Sequence, residues 1–86
     1  MAPNNFLACT NMNVVFLGEA KTQLIKREDA QSAIDFGLKA EDPAIRRAAK
    51  ALQLADNAND PTGANSAVVA FVTACHKLGI GPGDNG

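Results

Sequence analysis

Residues 71–80, FVTACHKLGI, contain the features on which the fold of this 86-residue chain depends. Phe71, Cys75 and Leu78 recur at steps of three or four, which is the spacing of one face of an α-helix. Gly79 then supplies the residue that a helix end prefers, and the isoleucine after it is placed for the apolar contact that accompanies such an end. The segment therefore predicts the last turns of an amphipathic helix that carries one of the two cysteines.

Two Asp-Pro pairs predict the starts of the third and fourth helices. Asp42 and Asp60 have side chains that cap helix starts, and the proline after each has no N–H to leave unpaired in the first turn. The apolar faces that follow consist of Ile45, Ala48, Ala49, Leu52 and Ala55 in the third helix, and of Ala64, Ala67, Val68, Phe71, Val72, Cys75 and Leu78 in the fourth. Residues 57–66, NANDPTGANS, are expected to link these helices, with their second half as an alternative first turn of the fourth.

The first predicted helix spans residues 5–27 and has two apolar strips. The main stripe consists of Cys9, Met12, Phe16, Ala20 and Leu24, with Phe6 and Leu17 at its edge. The second strip, Leu7, Val14 and Ile25, lies roughly 150° around the helix from Cys9 at 100° per residue, so this helix is expected to contact neighbours on two sides. Asn13 lies close to the main stripe, where a buried amide needs hydrogen-bond partners.

A second helix is predicted over residues 28–40, but no glycine or proline separates it from the first. The charged residues 26–29, KRED, favour a solvated corner with Asp29 as N-cap. The fold class that follows is all-α, a small up-and-down antiparallel four-helix bundle. A single domain over 1–80 with a flexible tail at 81–86 is expected. The alternative is three helices with one long N-terminal helix.

The two cysteines lie at opposite ends of the chain. In a four-helix bundle the start of the first helix and the end of the fourth lie at the same end, and both Cys9 and Cys75 point inward. This placement predicts a Cys9–Cys75 disulfide, which the three-helix alternative would not allow. Disulfides persist in oxidising compartments, so a secreted or periplasmic location is expected. The N-terminal residues lack the pattern of a signal peptide, and a cytoplasmic location is the alternative.

Charge and hydropathy disfavour two classes of partner. The formal net charge is −1, so no long-range field attracts nucleic acid. Arg46, Arg47 and Lys50 form the main basic cluster, and no aromatic side chain accompanies them for base stacking. The longest apolar runs, 14–17 and 67–72, are far shorter than the roughly 20 residues of a membrane helix. We expect no nucleic-acid partner and no membrane insertion.

The adjacent Cys75 and His76 do not predict a catalytic or metal site. Neighbouring residues on a helix point about 100° apart, so these two cannot readily share a proton or a metal ion. No nucleophile elbow or glycine-rich phosphate loop is present in the sequence. The expectation is a protein without enzymatic activity, cofactor or metal, in which His76 and Lys77 lie in the last helical turn, where the exposed carbonyls favour a cation.

The function that this sequence favours is that of a small exported helical module that binds a protein or an apolar ligand. Its candidate interaction residues are Leu7, Val14 and Ile25, which also predict a homodimer or partner surface, and the basic residues Arg46, Arg47 and Lys50. A cytoplasmic helical adaptor or regulator with two free buried thiols is the alternative. A thiol- or metal-dependent enzyme is the third and least favoured class.

Overall fold

The structure is a computed structural model that describes residues 3–22 and 27–80. Its helices are α1 (Pro3–Thr22), α2 (Arg27–Leu38), α3 (Pro43–Asn57) and α4 (Pro61–Lys77). They pack in a ring, because α1 contacts α2 and α4, and α3 contacts the same two helices. The predicted all-α four-helix bundle is confirmed. The three-helix alternative is wrong, because α1 and α2 lie side by side.

The boundaries of the first two helices differ from the expected ones. α1 begins at Pro3, two residues before the predicted start. α2 begins at Arg27, so Asp29 lies within its first turn, and the predicted role of Asp29 as N-cap is wrong. A carboxylate in a first turn still favours the helix through the exposed N–H groups there. Residues 23–26, including Leu24 and Ile25, and the predicted tail at 81–86 lie outside the described residues.

Both Asp-Pro pairs begin helices as predicted. The Asp42 carboxylate accepts hydrogen bonds from the backbone N–H groups of Ala44 at 2.7 Å and Ile45 at 3.4 Å. Asp60 accepts one from the N–H of Gly63 at 3.0 Å. These bonds satisfy donors that the first turn of a helix leaves unpaired. Each proline occupies the first helical position, where an N–H group would have no partner within the helix, so its missing N–H removes no hydrogen bond.

The connection between α3 and α4 consists of residues 58–60 alone. Asn59 adopts the left-handed conformation with φ of 53°. Its N–H donates to the Asp56 carbonyl, and the N–H of Asp60 donates to the Ala55 carbonyl at 2.9 Å, which closes the end of α3 as a Schellman motif. The linker predicted over residues 57–66 is therefore wrong in its second half. That half is the first turn of α4, as in the alternative interpretation.

The end of α4 has the glycine stop that the sequence predicts. Gly79 has φ of 78°, and its N–H donates to the His76 carbonyl, while the N–H of Ile80 donates to the Cys75 carbonyl at 3.0 Å. This Schellman motif turns Ile80 back into the core, where it is buried. Leu78, which the periodicity predicts in the core stripe, is instead exposed, because it is the residue at which the chain leaves the helix.

The core is small and rich in alanine, which allows the helices to approach closely. The entire predicted face of α3 is buried, as are most residues of the predicted α4 stripe. On α1 the burial extends to Ala8 and Val15, which the predicted stripe does not include, while Phe16 is only partly buried. The largest fully buried side chains are Phe71, Met12, Ile34, Ile45, Leu52, Val15, Val68, Cys9 and Cys75. The inward-facing strip of α1 is therefore rotated toward Ala8 and Val15 relative to the stripe that periodicity indicates.

Candidate interaction surface

Cys9 and Cys75 join the start of α1 to the end of α4. Their Cα atoms are 5.6 Å apart, both side chains are completely buried, and neither cysteine is free. This separation is typical of a disulfide. The structure thus confirms the predicted pairing of the two residues. It also fixes the direction of α1, because α1 must leave this end of the bundle as α4 reaches it.

A set of hydrogen bonds holds the α2–α3 loop against the start of α1 at the same end. The Glu41 carboxylate accepts bonds from the backbone N–H groups of Asn4 at 3.1 Å and Asn5 at 3.2 Å, and from the side-chain amide of Asn4 at 2.9 Å. In return, the side-chain oxygen of Asn5 accepts a bond from the N–H of Asp42 at 2.9 Å. Glu41 thus caps α1 from more than thirty residues away, and the loop is tied to α1 in both directions.

These contacts lower the pKa of the Glu41 carboxyl. Desolvation raises the pKa of its carboxyl, but hydrogen bonds from the Asn4 side chain and from the backbone of Asn5 and Asn4 favour the charged form and lower the pKa below its usual value. The nearby positive end of α1 acts in the same direction. Glu41 is therefore ionised at neutral pH and holds the helix start as a carboxylate.

The outer side of α1 is an exposed apolar face. Leu7 is 38% exposed, Val14 55% and Leu17 54%, and Phe6 lies beside them, also exposed. Leu7 and Val14 belong to the second strip that the sequence predicts, whereas its third member, Ile25, lies outside the described residues. Phe6 and Leu17 lie on this open side, although the periodicity places them at the edge of the buried stripe. We call Phe6, Leu7, Val14 and Leu17 the α1 outer face.

Most of the charges of the chain lie on other elements, although Glu19 and Lys21 belong to the last turns of α1. Residues 3–18 of α1 and residues 61–75 of α4 include no Asp, Glu, Lys or Arg. α2, α3 and the loop between them carry most of the charged side chains. Since α1 and α4 are neighbours in the ring, one side of the bundle has few charges and the other side has many. An uncharged helix face with several exposed large apolar residues is the kind of surface that binds a partner.

One residue of the predicted basic cluster, Arg46, binds the backbone of the α2–α3 loop. The guanidinium of Arg46 donates through Nη1 to the carbonyls of Ala40 at 2.8 Å and Glu41 at 2.9 Å. Lys50 donates to the side-chain oxygen of Gln53 at 3.4 Å. Arg47 and Lys50 are exposed. Arg46, although also exposed, therefore holds the α2–α3 loop, a role which the sequence did not indicate because it depends on the path of that loop.

The sequence makes a specific prediction for each of two polar residues: hydrogen-bond partners for Asn13, and for His76 a direction different from that of Cys75. Asn13 donates through Nδ2 to the Ile80 carbonyl at 3.1 Å, which supplies the partner expected for an amide near the core, while its buried Oδ1 has no hydrogen-bond partner. His76 is exposed although its neighbour Cys75 is fully buried. These two adjacent residues of α4 thus face different environments, as their positions on a helix dictate.

Within residues 3–22 and 27–80, no three His, Cys, Asp or Glu side chains converge as a metal site, and none of the helices has the length and hydropathy to cross a bilayer. Comparison with known proteins adds nothing to these observations, since no family model, curated protein or solved structure matches the chain. The α1 outer face is therefore the feature of the described molecule that best supports a functional interpretation.

Proposed function

We propose that the protein is a small, non-catalytic helical interaction module that is exported and stapled by its disulfide, and that it binds through the α1 outer face. The observation that carries this proposal is the exposure of Leu7, Val14 and Leu17 on a helix segment without charge. Leaving such residues in water costs a domain about 25 cal/mol per Å² of apolar surface. The face suits an apolar helix of another protein or an apolar small molecule.

The proposed export rests on the buried Cys9–Cys75 pair. A disulfide is stable in a secreted or periplasmic protein, whereas a reducing cytosol would keep both thiols free. Counting thiols in protein purified without reductant separates this proposal from the alternative of a cytoplasmic adaptor. Two reactive thiols after denaturation would contradict export.

Binding can be tested by nuclear magnetic resonance with two probes, an uncharged amphipathic helical peptide of about 20 residues and palmitate. We expect at least one probe to shift the backbone amides of Leu7, Val14 and Leu17, because its apolar surface covers these side chains. Val14→Lys should weaken binding about tenfold, since it places a charge in an apolar contact.

The matched control is Leu54→Lys on α3. Leu54 is 58% exposed, close to the value for Val14, but lies on the charged side of the bundle, so its substitution should leave the affinity for the probe unchanged. Backbone amide shifts confined to Arg47 and Lys50 would show that the probe binds the charged side instead. No shift with either probe at millimolar concentration, in protein dilute enough to be monomeric by sedimentation, would refute the proposal.

A further inference from the structure

The outward side of α1 has the residue spacing of a helix–helix seam. Leu7, Thr10, Val14 and Leu17 follow one another at steps of three, four and three, so that 7 and 14, like 10 and 17, are one heptad apart. This seam is separate from the strip that α1 buries in its own bundle, Ala8, Cys9, Met12 and Val15. α1 thus presents two apolar strips, of which the bundle covers only one.

The polar side chains along the seam are hydrogen-bonded to the helix itself. The Thr10 hydroxyl donates to carbonyls of the preceding turn, those of Phe6 at 3.0 Å and Leu7 at 3.1 Å. Asn11, beside the seam, donates to the Leu7 carbonyl at 2.8 Å. With these donors satisfied, the Thr10 methyl group and the neighbouring Leu and Val side chains can be covered by an apolar surface without leaving a donor unpaired.

The spacing between successive seam residues is three, four and three, which is the same from either end of the helix. Two copies of α1 that cross antiparallel about a two-fold axis therefore match, with Leu7 opposite Leu17 of the second copy and Thr10 opposite its Val14. A two-fold interface requires this kind of self-complementarity. No charged residue lies within residues 3–18 to repel its equivalent in the other copy. We propose that the occupant of the α1 outer face is a second copy of this chain, bound antiparallel.

This inference rests on the proposed function and names its partner. The seam spans about 11 residues, roughly 16 Å of helix at 1.5 Å per residue, so the interface belongs to the small class below about 1,200 Å². Interfaces of this size are typical of weak, transient association, so the dimer is expected to be reversible. A lipid surface is a poorer match, because membrane-bound amphipathic helices use Lys and Arg beside the apolar face, and residues 3–18 have none.

Sedimentation velocity between 1 and 500 μM tests the dimer. We expect the wild-type protein to associate with rising concentration, and Val14→Lys to raise the dissociation constant at least about tenfold, because each seam would then bury an unpaired ammonium group. Leu54→Lys on α3 is the control, and its dissociation constant should equal that of the wild type. Circular dichroism of each variant verifies that the bundle is intact.

The antiparallel arrangement has its own test. Leu7→Glu and Leu17→Lys should each weaken association, whereas the double variant should bind about tenfold more tightly than either single one, because the carboxylate introduced at position 7 of one copy then meets the ammonium group introduced at position 17 of the other. High salt should remove that gain. A double variant weaker than both single ones would overturn the antiparallel pairing.

A monomer at 500 μM would overturn the dimer and separate it from the proposed function. If that monomer still binds the helical peptide through Val14, the interaction module stands and its partner is another protein. If it binds neutral phosphatidylcholine vesicles through the same residues, the face is a lipid-binding surface. If it binds neither these nor palmitate, both proposals fail.

Discussion

Gly37 lies in the last turn of α2, beside a residue of α3 and a residue of α4. A methyl group placed on its Cα would come within 2.6 Å of the Ala49 Cβ atom and within 2.9 Å of the Phe71 ring. Real Cβ atoms do not approach other atoms so closely, and both neighbours are fully buried. The glycine is therefore required by packing, although it lowers the intrinsic stability of the helix.

We expect Gly37→Ala to destabilise the protein. Alanine gains about 1 kcal/mol of helix propensity, but forcing an extra methyl group into a filled core costs about 1–3 kcal/mol, and here the ring and a neighbouring helix would both have to move. The net loss in the free energy of unfolding, measured by urea denaturation, should be about 1 kcal/mol.

The double variant Gly37→Ala/Ala49→Gly checks the cause. It moves the methyl group from one side of the contact to the other, so it should recover part of the stability that Gly37→Ala loses. A stabilised Gly37→Ala variant, or a double variant whose loss is simply the sum of the two single losses, would contradict the close contact.

At the scale of the secondary-structure elements, a helix start is capped either by the residue just before it or by a residue far away in the sequence. Asp42 and Asp60 cap helices that start at the very next residue, and this pattern is readable from the sequence. Glu41 caps α1 from a different part of the chain, and nothing near Asn4 or Asn5 in the sequence indicates it. Local caps follow from neighbouring residues, whereas the cap of α1 exists only because the bundle brings two ends together.

The Glu41 cap predicts a dependence of stability on pH. Its pKa is lowered in the folded protein, so the stabilisation is fully present above the ordinary pKa of a glutamate in the unfolded chain and is lost as the pH falls through the lower folded value. Between pH 5 and 2 the wild-type protein should therefore lose more stability than Glu41→Gln, whose side chain does not ionise.

Urea denaturation at a series of pH values measures this difference. Asp35→Asn is a suitable control, because Asp35 is an exposed carboxylate of α2 outside the first turn and lies in another part of the fold. Identical acid profiles for wild type and Glu41→Gln would show that the cap contributes nothing in solution.

For the bundle as a unit, the disulfide closes the ring of helices. Cys9 and Cys75 are 66 residues apart in the chain. In the chain-entropy treatment a loop of this length adds about 4 kcal/mol, which is a large share of the net stability of a small domain. The α1 outer face depends on this closure, because the bridge holds the start of α1 against α4.

Reduction should therefore lower the melting temperature by about 10–20 °C, since 1 kcal/mol corresponds to about 4–8 °C in a domain of this size and real bridges often give less than the entropic value. Cys9→Ala and Cys75→Ala should each have a similar effect, and the double variant little more, because all three lose the same bond.

His76→Ala is the control for these variants and should leave the melting temperature nearly unchanged, because His76 is exposed beside the bridge rather than buried with it. Unchanged melting on addition of reductant would contradict the structural role of the disulfide and favour two free thiols.

The number and type of the elements, the Asp-Pro starts, the glycine stop at Gly79 and the pairing of the cysteines could all be predicted from the residues alone. These features follow from local conformational preference, from helical periodicity and from the connectivity of a four-helix bundle. The buried face of α3 was predictable for the same reason, since only one of its sides is apolar.

Which apolar strip of α1 is covered depends instead on the packing of the helices. Periodicity shows that Cys9 and Val14 lie on different sides of the helix, but burial depends on where α2 and α4 lie against it. The same holds for Leu78, which the end of α4 leaves exposed, and for Glu41 and Arg46, whose partners are set by the path of the α2–α3 loop. Because α1 has two apolar strips and the bundle covers only one of them, the other strip is exposed to water. The positions of α2 and α4 determine which strip that is.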